Sequence, residues 1–191
     1  MGSEMCIRDR YKLESVCRVN NIKTKSHTSY GDTISTLKLG ELIAKKAPDV
    51  FKASLALRKK SDVFPKLQST TIFCWMEAWR VAKIYAGTLL GEGGYPGWYL
   101  TYDLRKSPEE ILSVLNDTDA FKKELDASPK WCRTQKANRS PLLMDKKYAL
   151  NDDVYKNLGM KELERRQKVI SKNREEILLS LIHISEPTRP L

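Results

Sequence analysis

The hydrophobic period of this chain changes once, near Thr70, and that change limits the folds open to it. Before it, apolar residues recur at helical spacing. Leu13, Val16 and Cys17 suggest a short helix that Asn20-Asn21 stops. Residues 23–30 read as a polar loop. Residues 33–46 read as the strongest helix, with Ile34, Leu37, Leu39, Leu42 and Ile43 on a broad apolar face. Pro48 closes it and opens a second short helix with Val50, Phe51 and Leu55 inward. After Thr70, residues 71–75, 81–86 and 98–104 read as strands, and 91–97 as a turn-rich loop. Short strands joined by turns predict a small twisted barrel. Ser107-Pro108-Glu109-Glu110 then opens a helix, and 128–140 is a polar insert. Asn151 is the expected cap of a short helix that Gly159 ends. Residues 160–178 read as one long charged helix with Leu163, Val169, Ile170 and Ile177 as its apolar stripe.

The two chain ends are related to each other through DNA. Residues 2–10 can be encoded by GGC TCG GAG ATG TGT ATA AGA GAC AGN, and the reverse complement reads Leu-Ser-Leu-Ile-His-Ile-Ser-Glu-Pro in another frame. That string is residues 179–187. The shared element resembles a transposase-type sequencing adaptor. Residues 1–10 and 179–191 are therefore expected to be translated adaptor and are left out of the fold reading, as a tag would be. Residues 11–178 are expected to come from within a longer frame.

Charge and cysteine usage narrow the partners. Lys and Arg number 34 against 24 Asp and Glu, for a formal net charge of +10 and an isoelectric point near 9.4. Such a balance suits a polyanion, or is simply a basic surface. No apolar run is long enough to cross a bilayer, so no membrane partner is expected. Cys17, Cys74 and Cys132 show neither metal spacing nor a framework of bridges, which favours the cytoplasm.

One short stretch carries candidate chemistry. His27 stands five residues ahead of Asp32, at the start of the 33–46 helix. An imidazole can take a proton from water near neutral pH, and a carboxylate can hold magnesium through oxygen. Together they suit metal-assisted attack of water on a phosphodiester. The spacing equally allows Asp32 to cap the helix and His27 to be a surface loop residue. Beyond it, Arg58, Lys59, Lys60, Lys66, Arg80 and Lys83 could neutralise phosphates or form a solvated face. Trp75, Trp79, Tyr85, Tyr95, Trp98 and Tyr99 include stacking candidates, although alternating strand spacing puts most of them in a core, with one or two exposed. Asn138 and Arg139 either shape a pocket or form a structural turn before Pro141.

Read as a whole, 11–178 resembles the middle of bacterial exodeoxyribonuclease I, the 3′-to-5′ single-strand DNA exonuclease of the DEDD superfamily. His27 and Asp32 resemble the third acidic motif of that superfamily in its histidine variant. Ala78-Trp79-Arg80 and Tyr102-Asp103-Leu104 resemble runs of the family's SH3-like barrel. Asn138-Arg139-Ser140-Pro141-Leu142 resembles its Asn-Lys-x-Pro stretch, with arginine in place of lysine. The resemblance implies an α/β fragment: residues 11–47 as the C-terminal helices of a ribonuclease H-like exonuclease domain, 48–140 as an SH3-like β-barrel with a helical insert, and 141–178 as the start of an α-helical domain. It implies His27 as general base and Asp32 as one ligand of a two-metal Mg2+ site. It implies DNA contacts from Arg58, Lys59, Lys60, Lys66, Trp79, Arg80, Lys83, Asn138 and Arg139. Single-stranded DNA and the acidic C-terminal tail of single-strand DNA-binding protein are the implied partners. The first two acidic motifs are missing here, so this chain alone is expected to be inactive. The alternative is a non-catalytic module binding single-stranded DNA or protein. A proofreading or RNA-trimming nuclease of the superfamily fits less well, because such enzymes usually lack the barrel and the helices after it.

Overall fold

The structure is a computed structural model that describes residues 12–23, 28–78 and 81–185. The chain divides into two compact units, residues 1–55 and 56–191. His27, Trp79 and Arg80 lie outside the described residues.

The first unit is helical: α1 (Leu13–Val19), α2 (Ser29–Lys46) and α3 (Pro48–Ala56), the last crossing into the second unit by one residue. α2 begins four residues earlier than its apolar pattern predicts. Thr28, not Asp32, caps it: the Thr28 Oγ1 accepts from the Gly31 N–H at 3.0 Å, and the Asp32 N–H donates to the Thr28 carbonyl. A short hydroxyl in extended backbone satisfies a first-turn donor well, so the helix starts where the cap is available. The expected apolar face of α2 is not a core. Only Gly31 and Ser35 are buried, and Leu37 is 57% exposed.

The second unit is built on one antiparallel sheet of five strands in the order β4-β3-β2-β1-β5. Its strands are β1 (Phe73–Ala78), β2 (Ala82–Glu92), β3 (Trp98–Asp103), β4 (Cys132–Lys136) and β5 (Met144–Asp145). Side chains alternate across it. Phe73, Trp75, Tyr85, Leu89 and Tyr99 form one core with Val63 and Leu67 of α4 (Lys60–Ser69). Cys74, Ala86, Leu90, Leu100 and Tyr102 enter a larger core on the other side. Both faces of β2 are therefore covered, and its residues 85–90 are all buried. The ring of Trp75 lies over Gly87, where a Cβ would sit 2.8 Å from Cζ3 and would clash with the Tyr102 carbonyl oxygen.

Helices close the larger core: α5 (Pro108–Leu112), α6 (Thr118–Asp126), α7 (Asp153–Lys172) and α8 (Arg174–Ser185). Pro108 opens α5 as its sequence predicts. Ile111, Phe121, Trp131 and Tyr155 are buried there. So are Leu163, Ile170 and Ile177, which repeat every seven residues; each contributes about 1.5–3 kcal/mol by leaving water. Two expectations change in this region. Asp152, not Asn151, caps α7, accepting from the Val154 N–H at 3.0 Å. The predicted 160–178 helix is interrupted at Asn173. Gly159, at φ +76°, breaks the helix as expected and separates the first turns of α7 from the rest.

Candidate nucleic-acid interface

The predicted DNA-binding residues do not form a single surface. One group gathers where the β2–β3 connection meets the end of β4. The chain leaves β2 at Glu92 and returns at Trp98 through a turn held by two backbone bonds: Gly93 N–H to Trp98 carbonyl at 2.7 Å, and Trp98 N–H to Tyr95 carbonyl at 3.0 Å. Gly97 has φ +78°, a conformation that costs an L side chain about 1–2 kcal/mol. Its carbonyl accepts from the Ala137 N–H at 2.9 Å, which ties the turn to the 3-10 turn Ala137–Arg139.

That tie brings cations together. Lys60, the first residue of α4, lays its side chain over Gly97; a Cβ there would be 2.9 Å from Cε and 3.5 Å from Nζ. Trp98 pairs with Lys136 across β3 and β4, and the Lys136 Nζ sits 3.5 Å from the indole centroid. Cation–π contact of this kind contributes about 0.5–1 kcal/mol at an exposed site. Asn138 and Arg139 follow on the 3-10 turn and are exposed, and Ser140 leaves it in left-handed backbone at φ +45°. Arg58 and Lys59 precede Lys60 and are also exposed, as is Lys66 further along α4. Glu92, at the end of β2, is the acid at this end of the strand.

Lys83 belongs elsewhere. It is exposed near the start of β2, in register with Glu77 of β1. Glu92 lies nine positions further along the strand, about 30 Å at ~3.3 Å per residue.

The aromatic candidates divide just as clearly. Trp75, Tyr85 and Tyr99 are buried: Trp75 stacks on Tyr85 with centroids 5.5 Å apart, and Tyr99 on Phe64 at 4.9 Å. Trp98 is half-buried. Tyr95 is 64% exposed, its ring tilted 53° to Trp98 at a centroid distance of 4.8 Å.

A second charged cluster lies under the sheet. Asp103, 1% exposed, accepts from the Tyr155 hydroxyl and from the Arg105 N–H at 3.0 Å. Burial pushes its carboxyl above the ordinary value, and the Tyr155 bond, the Arg105 N–H and the nearby guanidinium groups of Arg105 and Arg133 oppose that shift. The Arg133 guanidinium caps the Tyr85 ring at 3.9 Å and meets Glu77 at 2.8 Å. A cavity of about 300 Å³ alongside is lined by Asp103, Arg105, Lys106, Glu110, Glu124 and Trp131 among others. Lys106 contacts both Glu110 and Glu124, so the lining is internally neutralised and reads as structure. Burial also pushes the Cys74 and Cys132 thiols up to about 12, so neither supplies a thiolate nucleophile near neutral pH.

In the first unit, Asp32 is exposed on the first turn of α2. Among the described residues no group of three or more His, Cys, Asp or Glu side chains could hold a metal ion. Asp32 is therefore not part of such a group among the described residues. Lys136 joins this candidate cluster without having been expected from the sequence. Its signal was the cationic run Lys130, Arg133, Lys136, Arg139 at intervals of three.

No protein-family profile and no curated protein matches the sequence. Solved structures do match, exonuclease I structures among them. Exonuclease I from Methylocaldum szegediense aligns with a TM-score of 0.65 at 16% identity, over 90% of this chain and 40% of that one. Escherichia coli exonuclease I in complex with a 5cy-dT13 oligonucleotide aligns at 0.64 and 15%, over 94% and 41%. An ExoI/SSB-Ct complex aligns at 0.59 and 13%, over 93% and 41%. This chain has an exonuclease I-like fold, and it spans about 40% of the length of the structures it matches. Among the described residues no helix is long and apolar enough to cross a membrane.

Proposed function

We propose that this chain is part of a 3′-to-5′ exodeoxyribonuclease that degrades single-stranded DNA in repair and recombination. On this reading its second unit holds the single strand, and its sheet is the SH3-like barrel of that enzyme. The observation that carries the reading is the gathering of Lys60, Lys136, Asn138 and Arg139 around an aromatic turn. Cations that track a phosphate backbone beside an exposed ring are the elements of sequence-tolerant single-strand binding. Solved exonuclease I structures with oligonucleotides support the choice of DNA.

Catalysis is proposed for the whole enzyme. Asp32 would be one carboxylate of a magnesium centre, and His27 the base that takes a proton from water. Magnesium, when bound, would supply Lewis-acid stabilisation of the phosphodiester oxygens. The ExoI/SSB-Ct structure supports a further proposed partner, the acidic tail of a single-strand DNA-binding protein, drawn to basic residues of the second unit. The second reading is a binding module without catalysis. The cations gathered around the aromatic turn suit it as well, since binding a single strand requires no catalytic group.

Fluorescence anisotropy with labelled dT13 and with a blunt duplex of equal length tests the proposal. Expected is tighter binding of the single strand, falling steeply with salt. Equal affinity for both, or none at low salt, would overturn it.

A further inference from the structure

We infer that Tyr95 is a base-stacking contact: one nucleobase of single-stranded DNA lies on its exposed ring while neighbouring phosphates meet Lys60, Lys136 and Arg139. The inference rests on the single-strand reading above and narrows its stacking contact to one ring at one turn.

Tyr95 is the largely exposed aromatic side chain among the described residues of the second unit, whereas Trp75, Tyr85, Tyr99 and Trp131 are all core. An exposed ring on a loose loop would mean little. This one is fixed at its base by the Trp98 N–H and against its side by the Trp98 indole. Trp98 is itself held by Lys136. The turn is anchored again through the Gly97 carbonyl to Ala137. Little conformational entropy is therefore left to lose when a flat ligand stacks on the phenol. The cations stand around the same turn: Lys60 over Gly97, Lys136 on the neighbouring strand, and Arg139 two residues past Ala137. A single exposed ring with cations close to the same turn suits a flexible strand that can splay out a base. A duplex keeps its bases stacked on each other and cannot offer one without unpairing.

The test compares the full chain with Tyr95→Ala and Tyr95→Phe, by anisotropy titration of labelled dT13 at fixed salt. Melting curves confirm that each variant is folded. Stacking is worth about 1–3 kcal/mol per base, so Tyr95→Ala is expected to weaken binding about 5- to 150-fold. Its slope of log K against log salt should stay unchanged, because no phosphate contact is lost. Tyr95→Phe keeps the ring and should bind as the parent does. If the parent chain binds dT13 and Tyr95→Ala binds equally well, the inference falls and the single-strand reading stands. An equal loss in both variants would assign the effect to the hydroxyl and overturn stacking. Tighter binding of rU13 than of dT13 would overturn the choice of DNA. If the parent does not bind at all, the single-strand reading falls and takes the inference with it.

Discussion

Replacing Tyr155 by phenylalanine removes one oxygen from a buried site and tests how the sheet is joined to the helix behind it. The Tyr155 hydroxyl on α7 donates to Asp103 on β3, and both residues are almost wholly buried. The phenyl ring remains, so no large cavity opens and the lost bond dominates. A hydrogen bond to a charged group contributes about 1.5–3 kcal/mol, and one between neutral groups about 0.5–1.5 kcal/mol. Burial raises the Asp103 carboxyl above its ordinary value, so the fold keeps this proton to higher pH than the unfolded chain does. The stability this group gives is full below the unfolded carboxylate pKa of about 3.9 and is lost as pH rises through the folded value. The Tyr155 bond opposes that upward shift, so losing it raises the folded value further. The variant should therefore lose about 1–3 kcal/mol, and more at pH 7 than near pH 4. Urea unfolding followed by circular dichroism at both pH values measures this. A loss below 0.5 kcal/mol at pH 7, or one that is the same at both pH values, would refute the reasoning.

Three other outcomes follow from the same geometry. Gly97→Ala should cost about 1–2 kcal/mol in urea unfolding, since alanine pays for φ +78°, and should weaken dT13 binding by moving Lys60 aside. Lys60→Ala and Arg139→Ala should each lower the salt slope of dT13 binding by about 1; Lys83→Ala, at the far end of β2, should leave it unchanged in the same titration. The purified chain with magnesium should not shorten a labelled single strand on a denaturing gel, and chelator-sensitive shortening would contradict this.

Much of the second unit was legible because its patterns are local. Leu163, Ile170 and Ile177 repeat every seven residues, so their burial could be read directly. The strand character of residues 73–75 and 98–103 follows from alternation and β-branched or aromatic content. α4 was not legible. Pro65 sits inside it without an N–H to donate, and only Val63 and Leu67 are fully buried, with Phe64 stacked on Tyr99. β4 hid in a polar insert because a strand paired on one side to β3 can carry Arg133, Thr134 and Lys136. α6 rests on the Asp117 cap and a single fully buried side chain, Phe121. For the interface, residue type was readable but assembly was not. Lys60 reaches Gly97, and Gly97 reaches Ala137, through contacts between elements far apart in sequence. The exposure of Tyr95, as against the burial of Tyr99, depends on where the turn ends and the strand begins. The apolar face of α2 shows the opposite case: a clear local pattern whose side chains remain largely uncovered, as at Leu37.

The most direct measurement of where a single strand lies is photocrosslinking. A dT13 carrying one bromodeoxyuridine, irradiated with the chain and mapped by mass spectrometry, reports the residue nearest that base. Adducts are expected at Tyr95 or Trp98, with their loss in Tyr95→Ala. Adducts confined to the Lys83 end of β2, or to the first unit, would contradict this.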